Sequence, residues 1–433
     1  MPWVPHGMSV YAGHIRTFNR EIRLYILAML ISFLNIGVFQ VLYNLYLDRL
    51  GLHEDFLGTL NAVTTVSLAA ASLMIGPVVN RFGPRRVILW GFVCFSLVST
   101  VQAFNTSAIV ILAFGALQGI STSFFVNPTN VLVLDYSAAH NRQYAISVVY
   151  SAQAVAGTLG NLGGGLAPRL IAAFIPTLAV GSIPSYRVTL LIGVGIAAFA
   201  LIPLARMRAA DGESRTEIVG LRQPSHPESR KSAVGKEIRR DFSVFVIAGG
   251  LLAVASGAVV PFYNVYLKRL GASTQTVGYI FAGAALFAAV IGLIGPVLAE
   301  KFGALRTILA LRVMSAPFFA AMIFAPSLLF AIPAHVVRTT SVSASWPLDA
   351  TFIADLLPPR QRAYVFSIRS VVWNAAWAVT SIISGQLIRS TNSYTGPFII
   401  YAVFVTLSVI VFQVYFQRRV TARAAAAAAT AAK

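Results

Sequence analysis

"YNLYLDRLG" occupies residues 43–51 and "YNVYLKRLG" occupies residues 263–271, and the two agree at seven of nine positions across a separation of 220 residues. The likeness continues at that separation. "GPVVNRFGPRRVIL" (76–89) returns as "GPVLAEKFGALRTIL" (295–309) with one inserted residue, and Asp135, Arg142, Tyr144 and Ser147 recur as Asp355, Arg362, Tyr364 and Ser367. The chain is written twice, so its architecture is expected to be two copies of one unit.

The repeated material is of membrane character. Of 433 residues, 57% are hydrophobic and 11% charged, with a mean hydropathy of +0.75. An ordinary soluble domain carries about 25% charged residues. Charge-free runs at 24–47, 56–80, 87–134, 143–168 and 242–267 meet or exceed the roughly 20 residues that a spanning helix needs. They lack the alternating polarity of barrel strands. Residues 1–20 lack the short apolar core and small-residue site of a cleavable leader. The pattern predicts an all-α membrane protein with twelve transmembrane helices in two parallel six-helix repeats. The expected spans are 22–48, 54–80, 84–104, 107–134, 140–170, 184–207, 241–268, 274–300, 304–325, 327–356, 359–389 and 394–417. A cytoplasmic N-terminus (1–21), a first bundle (22–207), a polar linker (208–240), a second bundle (241–419) and a tail (420–433) follow from that division.

The net charge of +19 reads as a topology signal. With the N-terminus inside, the outer loops hold Arg49, Arg169, Arg187, Lys268, Arg269 and Arg389, out of 33 Lys and Arg in the chain. Arg312, Arg338 and Arg369 fall within spans, and the remainder collect on the cytoplasmic side. The positive-inside rule then places both termini in the cytoplasm of a cell-membrane protein, with anionic lipid as the partner of the basic loops. A nucleic-acid surface is not implied. The single Cys94 lies in an apolar stretch and excludes a disulfide or cysteine metal site. The chain carries no phosphate-binding glycine loop, metal-ligand cluster or nucleophile–base constellation, so neither an enzyme nor a cofactor is expected.

On these motifs the sequence resembles the major facilitator superfamily over roughly residues 20 to 420. "GPVVNRFGPRR" is similar to that family's loop between helices 2 and 3, through Gly76, Arg81, Gly83 and Arg86 or Arg85; Asn80 stands where the family has Asp, and the second copy supplies Glu300. The resemblance implies a gating role for these residues and for Asp135, Arg142, Asp355 and Arg362, whereas the plain reading is a basic loop that sets topology. "AGTLGNLGGGL" on the fifth span looks like the glycine signature of the superfamily's proton-coupled exporters, with Asn161 in place of Pro. Its plain reading is close helix packing. The fourth span has Gly115 where those exporters often carry Arg, while the second half has His335 and Arg338 at the corresponding places.

Ionisable residues inside spans are costly, about 2.5–3.5 kcal/mol each on insertion scales, and they usually face water or one another. They concentrate in the second half: Arg312, His335, Arg338, Asp349 and Arg369. Asp349 and Arg369 lie at similar depth on either side of a short turn and are expected to pair, with Arg312 snorkelling toward the inner surface. Asp349 and His335 are the candidate proton-coupling groups. In the resembled family helices 1, 4, 7 and 10 line a cavity between parallel repeats. This implies substrate contacts from Gln40, Asn44, Gln118, Thr122, Tyr263, Asn264, Arg338, Arg369, Trp373 and Trp377. The expected activity is alternating-access antiport: proton-coupled efflux of small amphipathic or weakly anionic, including lipid-like, compounds by a monomer. A passive facilitator or importer, or a non-transporting receptor on the same fold, are the alternatives.

Overall fold

The computed structural model describes residues 17–137, 142–208, 233–356 and 359–431. The first sixteen residues and most of the expected linker lie outside that set. Among the described residues the chain is helical, in twelve tracts. The first six are α1 (Arg20–Arg49), α2 (Glu54–Phe82), α3 (Pro84–Phe104), α4a and α4b (Ala108–Val126, Thr129–Tyr136), α5 (Arg142–Phe174), and α6a and α6b (Ile183–Phe199, Leu201–Arg206). The second six are α7a and α7b (Ala233–Val259, Tyr263–Arg269), α8 (Thr274–Phe302), α9a and α9b (Ala304–Val313, Ala316–Phe324), α10 (Leu328–Leu356), α11 (Pro359–Thr391) and α12 (Thr395–Ala431). Four tracts are broken beside Pro128, Pro203, Pro261 and Pro317, where the missing N–H interrupts the helical ladder.

Ten of these tracts are long and apolar enough to cross a membrane. The other two, α5 and α10, have 33 and 29 residues. Their hydropathy is lowered by Asn161 and a run of glycines in α5, and by His335, Arg338 and Asp349 in α10. The last helix continues through the alanine-rich segment to Ala431, well beyond the expected bundle end at 419, because alanine has the strongest helix propensity.

The opening repeat is a matched pair of helix ends. Gly51 and Gly271 adopt φ of 84° and 90°, a region open chiefly to glycine. In the first copy Gly51 N–H donates to Asp48 O and Leu52 N–H to Leu47 O, both at 3.0 Å. In the second, Gly271 N–H donates to Lys268 O and Ala272 N–H to Leu267 O, again at 3.0 Å. Both are glycine-terminated caps that satisfy the last carbonyls of a helix.

The chain divides into two compact units. The first comprises residues 1–52, 63–223 and 273–282, and its main packing sets α1 against α5 and α6, and α3 against α4 and α6. Tyr25, Phe92, Phe95 and Phe125 centre its core. The second comprises residues 53–62, 224–272 and 283–433, with α7 against α11 and α12, and α9 against α10 and α12. Its core is Phe245, Leu311, Leu348, Phe412 and Phe416. The close crossing of α1 and α5 explains the glycines of the fifth span. A Cβ on Gly160 would lie 2.2 Å from Leu34 O, and one on Gly37 would lie 2.3 Å from Gly157 O. At the same offset in the second unit, a Cβ on Gly257 would lie 2.6 Å from Trp377 O.

Candidate functional site

The charged residues of the second unit fall into two separate groups. In the first, Asp349 of α10 receives both Arg312 of α9a and Arg369 of α11, each guanidinium placing Nη2 2.5 Å from the same Oδ2. All three side chains are at most 5% exposed. The Arg312 guanidinium also lies over the Phe412 ring at 4.7 Å, and that of Arg369 over Trp346 at 4.8 Å. Asp349 Oδ1, Arg312 Nε and Nη1, and Arg369 Nε are buried without a hydrogen-bond partner. Arg369 reaches this position because α7a offers a glycine: a Cβ on Gly249 would stand 3.2 Å from Arg369 Nε and 3.4 Å from its Cγ.

The expected Asp349–Arg369 contact is therefore present, but Arg312 does not snorkel. It lies near the end of α9a and points into the unit toward α10 and α12. A carboxylate already buried among those helices holds it more closely than distant headgroups would. One acid shared by two bases leaves an excess of one formal positive charge in a dry environment.

The second group surrounds Arg338. His335 and Arg338 lie one turn apart on α10, and His335 is buried, its ring stacked on Tyr263 at a centroid distance of 4.8 Å. Tyr263 donates its hydroxyl to Ala331 O at 2.6 Å, while Tyr401 shares a 2.8 Å hydrogen bond with Ser315. Arg338 is half-buried and lies near both phenols. Its Nε is buried without a partner, and no carboxylate among the described residues pairs with it. The structure thus separates Arg369, which shares a carboxylate, from Arg338, which has none among the described residues.

The remaining expected contacts are distributed as follows. Trp373 stacks with Trp377 at 6.3 Å and meets Trp346 edge-on at 5.3 Å. The Trp377 indole N–H is committed to Asn61 Oδ1 at 2.6 Å. Asn264 is buried, and its Oδ1 accepts from Val265 N–H at 2.9 Å. In the first unit, Gln40 is exposed and Asn44 half-buried. Gln118 and Thr122 are half-buried, with the Thr122 hydroxyl donating to the Gln118 carbonyl at 2.7 Å.

In the loop between α2 and α3, Gly83 has φ of 83° and its counterpart Gly303 has 86°, so the duplicated turn needs glycine twice. Gly76, Asn80, Arg81, Arg86 and Glu300 are exposed; Arg81 lies over the Phe82 ring at 5.2 Å. Arg85 is the anchored arginine of the pair, donating to Ala205 O at 2.8 Å. Asp135 is half-buried. The side chains of Arg142, Asp355 and Arg362 lie outside the described residues.

Sequence reasoning missed Glu54. It opens α2, where an acid ordinarily faces solvent and complements the helix dipole, yet it is fully buried in the second unit. Its Oε1 receives Arg269 at 2.5 Å and the Tyr394 hydroxyl at 2.7 Å.

With this geometry in view, comparison with known proteins gives the class. The family model for the Major Facilitator Superfamily matches residues 25–337 and, in an overlapping second match, residues 245–432. The chain belongs to that superfamily and is a transporter rather than an enzyme. It is 22% identical over 410 residues to an uncharacterised membrane protein of Saccharomyces cerevisiae, covering 87% of this chain and 89% of the relative. A shorter match, 29% over 154 residues, is to a gallate transporter of Pseudomonas putida and covers 36% of this chain and 31% of that protein. Among solved structures, a bacterial homologue of the human lysosomal transporter Spinster superposes with a TM-score of 0.69 at 18% identity, covering 91% of this chain and 95% of that one. That likeness concerns the fold.

Proposed function

We propose that this transporter is a proton-coupled exporter of small amphipathic compounds carrying a weakly acidic group, lipid-like compounds included. The observation that carries the reading is Arg338. A guanidinium within a span, with no carboxylate partner among the described residues and a buried unpartnered N–H, has a standing electrostatic deficit that an anionic ligand removes. Tyr263, His335 and Tyr401 give the neighbourhood an aromatic wall suited to an apolar body. Trp373 and the half-buried amides Asn44 and Gln118 are further contact candidates, as are Gln40, Thr122, Asn264 and Trp377.

Proton coupling is assigned to Asp349 and His335. Proton uptake by Asp349 would release Arg312 and Arg369 from their shared counter-charge, and uptake by His335 would add positive charge one turn from Arg338. Either event changes the charge balance of the second unit. Export rests on the resemblance of "AGTLGNLGGGL" to the exporters' signature, and inner-membrane placement with cytoplasmic termini rests on the basic loops. The gallate transporter among the relatives is named for an aromatic acid, which agrees with the proposed substrate class. Monomeric action is part of the same reading.

The test is flux in proteoliposomes, using a panel of small aromatic and alkyl carboxylates with pH gradients imposed in either direction. Movement of substrate against the proton flow supports the proposal. Movement with the protons marks an importer, indifference to the gradient a passive facilitator, and binding without flux a receptor.

A further inference from the structure

Helix α2 is divided between the two compact units: residues 53–62 cluster with the second and the rest of the helix with the first. Glu54, Gly58 and Asn61, spaced at i, i+4 and i+7, form the face by which its first turns dock on α7 and α11. A Cβ on Gly58 would lie 2.2 Å from Ser381 O, and one on Gly385 would lie 2.4 Å from Glu54 O. Asn61 Oδ1 accepts from the Trp377 indole and, at 3.2 Å, from the Ser381 hydroxyl. The outermost contact is ionic. Arg269, whose side chain is 36% exposed, bonds Glu54, donates to Asn392 Oδ1 at 3.1 Å and lies over the Tyr394 ring at 5.4 Å. Glu54 Oε2 is buried and unpartnered.

The duplicated helix α8 is divided in the same way, its residues 273–282 clustering with the first unit. The offset of 220 relates Glu54 to Thr274, Gly58 to Gly278, Ser381 to Asn161 and Gly385 to Gly165. The glycine crossing is reproduced, with a Cβ on Gly278 standing 2.7 Å from Gly165 Cα and 2.8 Å from Asn161 O. The polar tie differs. Thr274 shares a 2.8 Å hydrogen bond with the Tyr186 hydroxyl, and the exposed Gln275 accepts from Arg169 at 2.9 Å. One docked helix tip is thus fastened by a buried carboxylate in an ion pair and the other by hydrogen bonds to neutral groups.

We propose that Glu54 and Arg269, with Tyr394, form a charge-fastened gate latch of the transport cycle: the tip of α2 undocks from α7 and α11 only when this ion pair opens. An ion pair to a buried carboxylate stabilises more than a neutral or solvent-exposed hydrogen bond, which makes this tip the slower of the two to lift. The partly exposed Arg269 is the point at which solvent reaches the pair.

The experiment needs no substrate. In a Cys94→Ser background, the isosteric Ser381→Cys places a thiol at a fully buried position beneath Gly58, and its reaction with a soluble maleimide in detergent micelles reports undocking. Adding Glu54→Gln should raise the labelling rate by about tenfold, and the swap Glu54→Arg with Arg269→Glu should bring it back toward the parental value. A Ser185→Cys reporter, buried in the first unit, should stay slow throughout. An unchanged rate in Glu54→Gln overturns the latch. Acceleration of both reporters together, or acceleration that the charge swap leaves in place, also overturns it, because the pair would then be a general stabiliser.

Discussion

The two halves fill one equivalent place in opposite ways. In the second, Arg312, Asp349 and Arg369 meet in a buried ionic cluster. At the 220-residue offset the first half has Phe92, Thr129 and Val149, all buried: Phe92 stacks on Phe125 at 4.5 Å, and Thr129 accepts the Tyr25 hydroxyl at 2.8 Å. A six-helix unit of this design thus closes well with an uncharged trio whose one hydroxyl is hydrogen-bonded. Replacing buried ion pairs by well-packed apolar side chains is often neutral or stabilising, whereas removing one partner is strongly destabilising. The comparison separates what holds the unit together from what the second unit does beyond folding.

The largest expected effect follows from breaking that cluster on one side. Asp349→Asn leaves two buried guanidiniums facing a neutral amide and should cost about 3–5 kcal/mol, measured as loss of folded, monodisperse protein and a lower midpoint of thermal unfolding. The triple variant Arg312→Phe, Asp349→Thr, Arg369→Val, which copies the first half, should recover most of that loss. A triple variant as unstable as the single would show that the two places are not equivalent. A smaller effect is expected from Gly249→Ala, whose added methyl presses on the movable Arg369 side chain. It should cost about 1–3 kcal/mol, and unchanged thermal stability would mean that Arg369 does not need that glycine.

Much of this was legible in the sequence because the chain states it twice. The 220-residue repeat announced two units, and the left-handed glycines at 51 and 271 and at 83 and 303 bear out the copying turn by turn. Runs without charge marked the spans, and the rarity of ionisable residues within them drew attention to Asp349, His335 and the three arginines. Facing relations were legible across one short turn, for Asp349 and Arg369, but not between helices farther apart in the chain. Arg312 looked close enough to a helix end to snorkel, and only the packing of α9 against α10 and α12 turns it onto Asp349. Glu54 follows a glycine turn, where an acid at a helix start is commonplace; its burial depends on Arg269 and Tyr394, more than 200 and 300 residues away in the chain. That Asp349 would take Arg369 was legible from their depth on either side of a short turn; that it also takes Arg312, and that Arg338 meets no carboxylate among the described residues, was not.

That last distinction is the centre of the account, and Arg338→Gln tests it most directly. Proteoliposome uptake of each small carboxylate should be measured beside that of its uncharged amide, in the parent and in this variant. The account predicts at least tenfold slower carboxylate uptake, amide uptake within about twofold of the parent, and undiminished thermal stability, since the variant removes a charge that no carboxylate among the described residues balances. Carboxylate and amide uptake falling together, or neither falling, would contradict it.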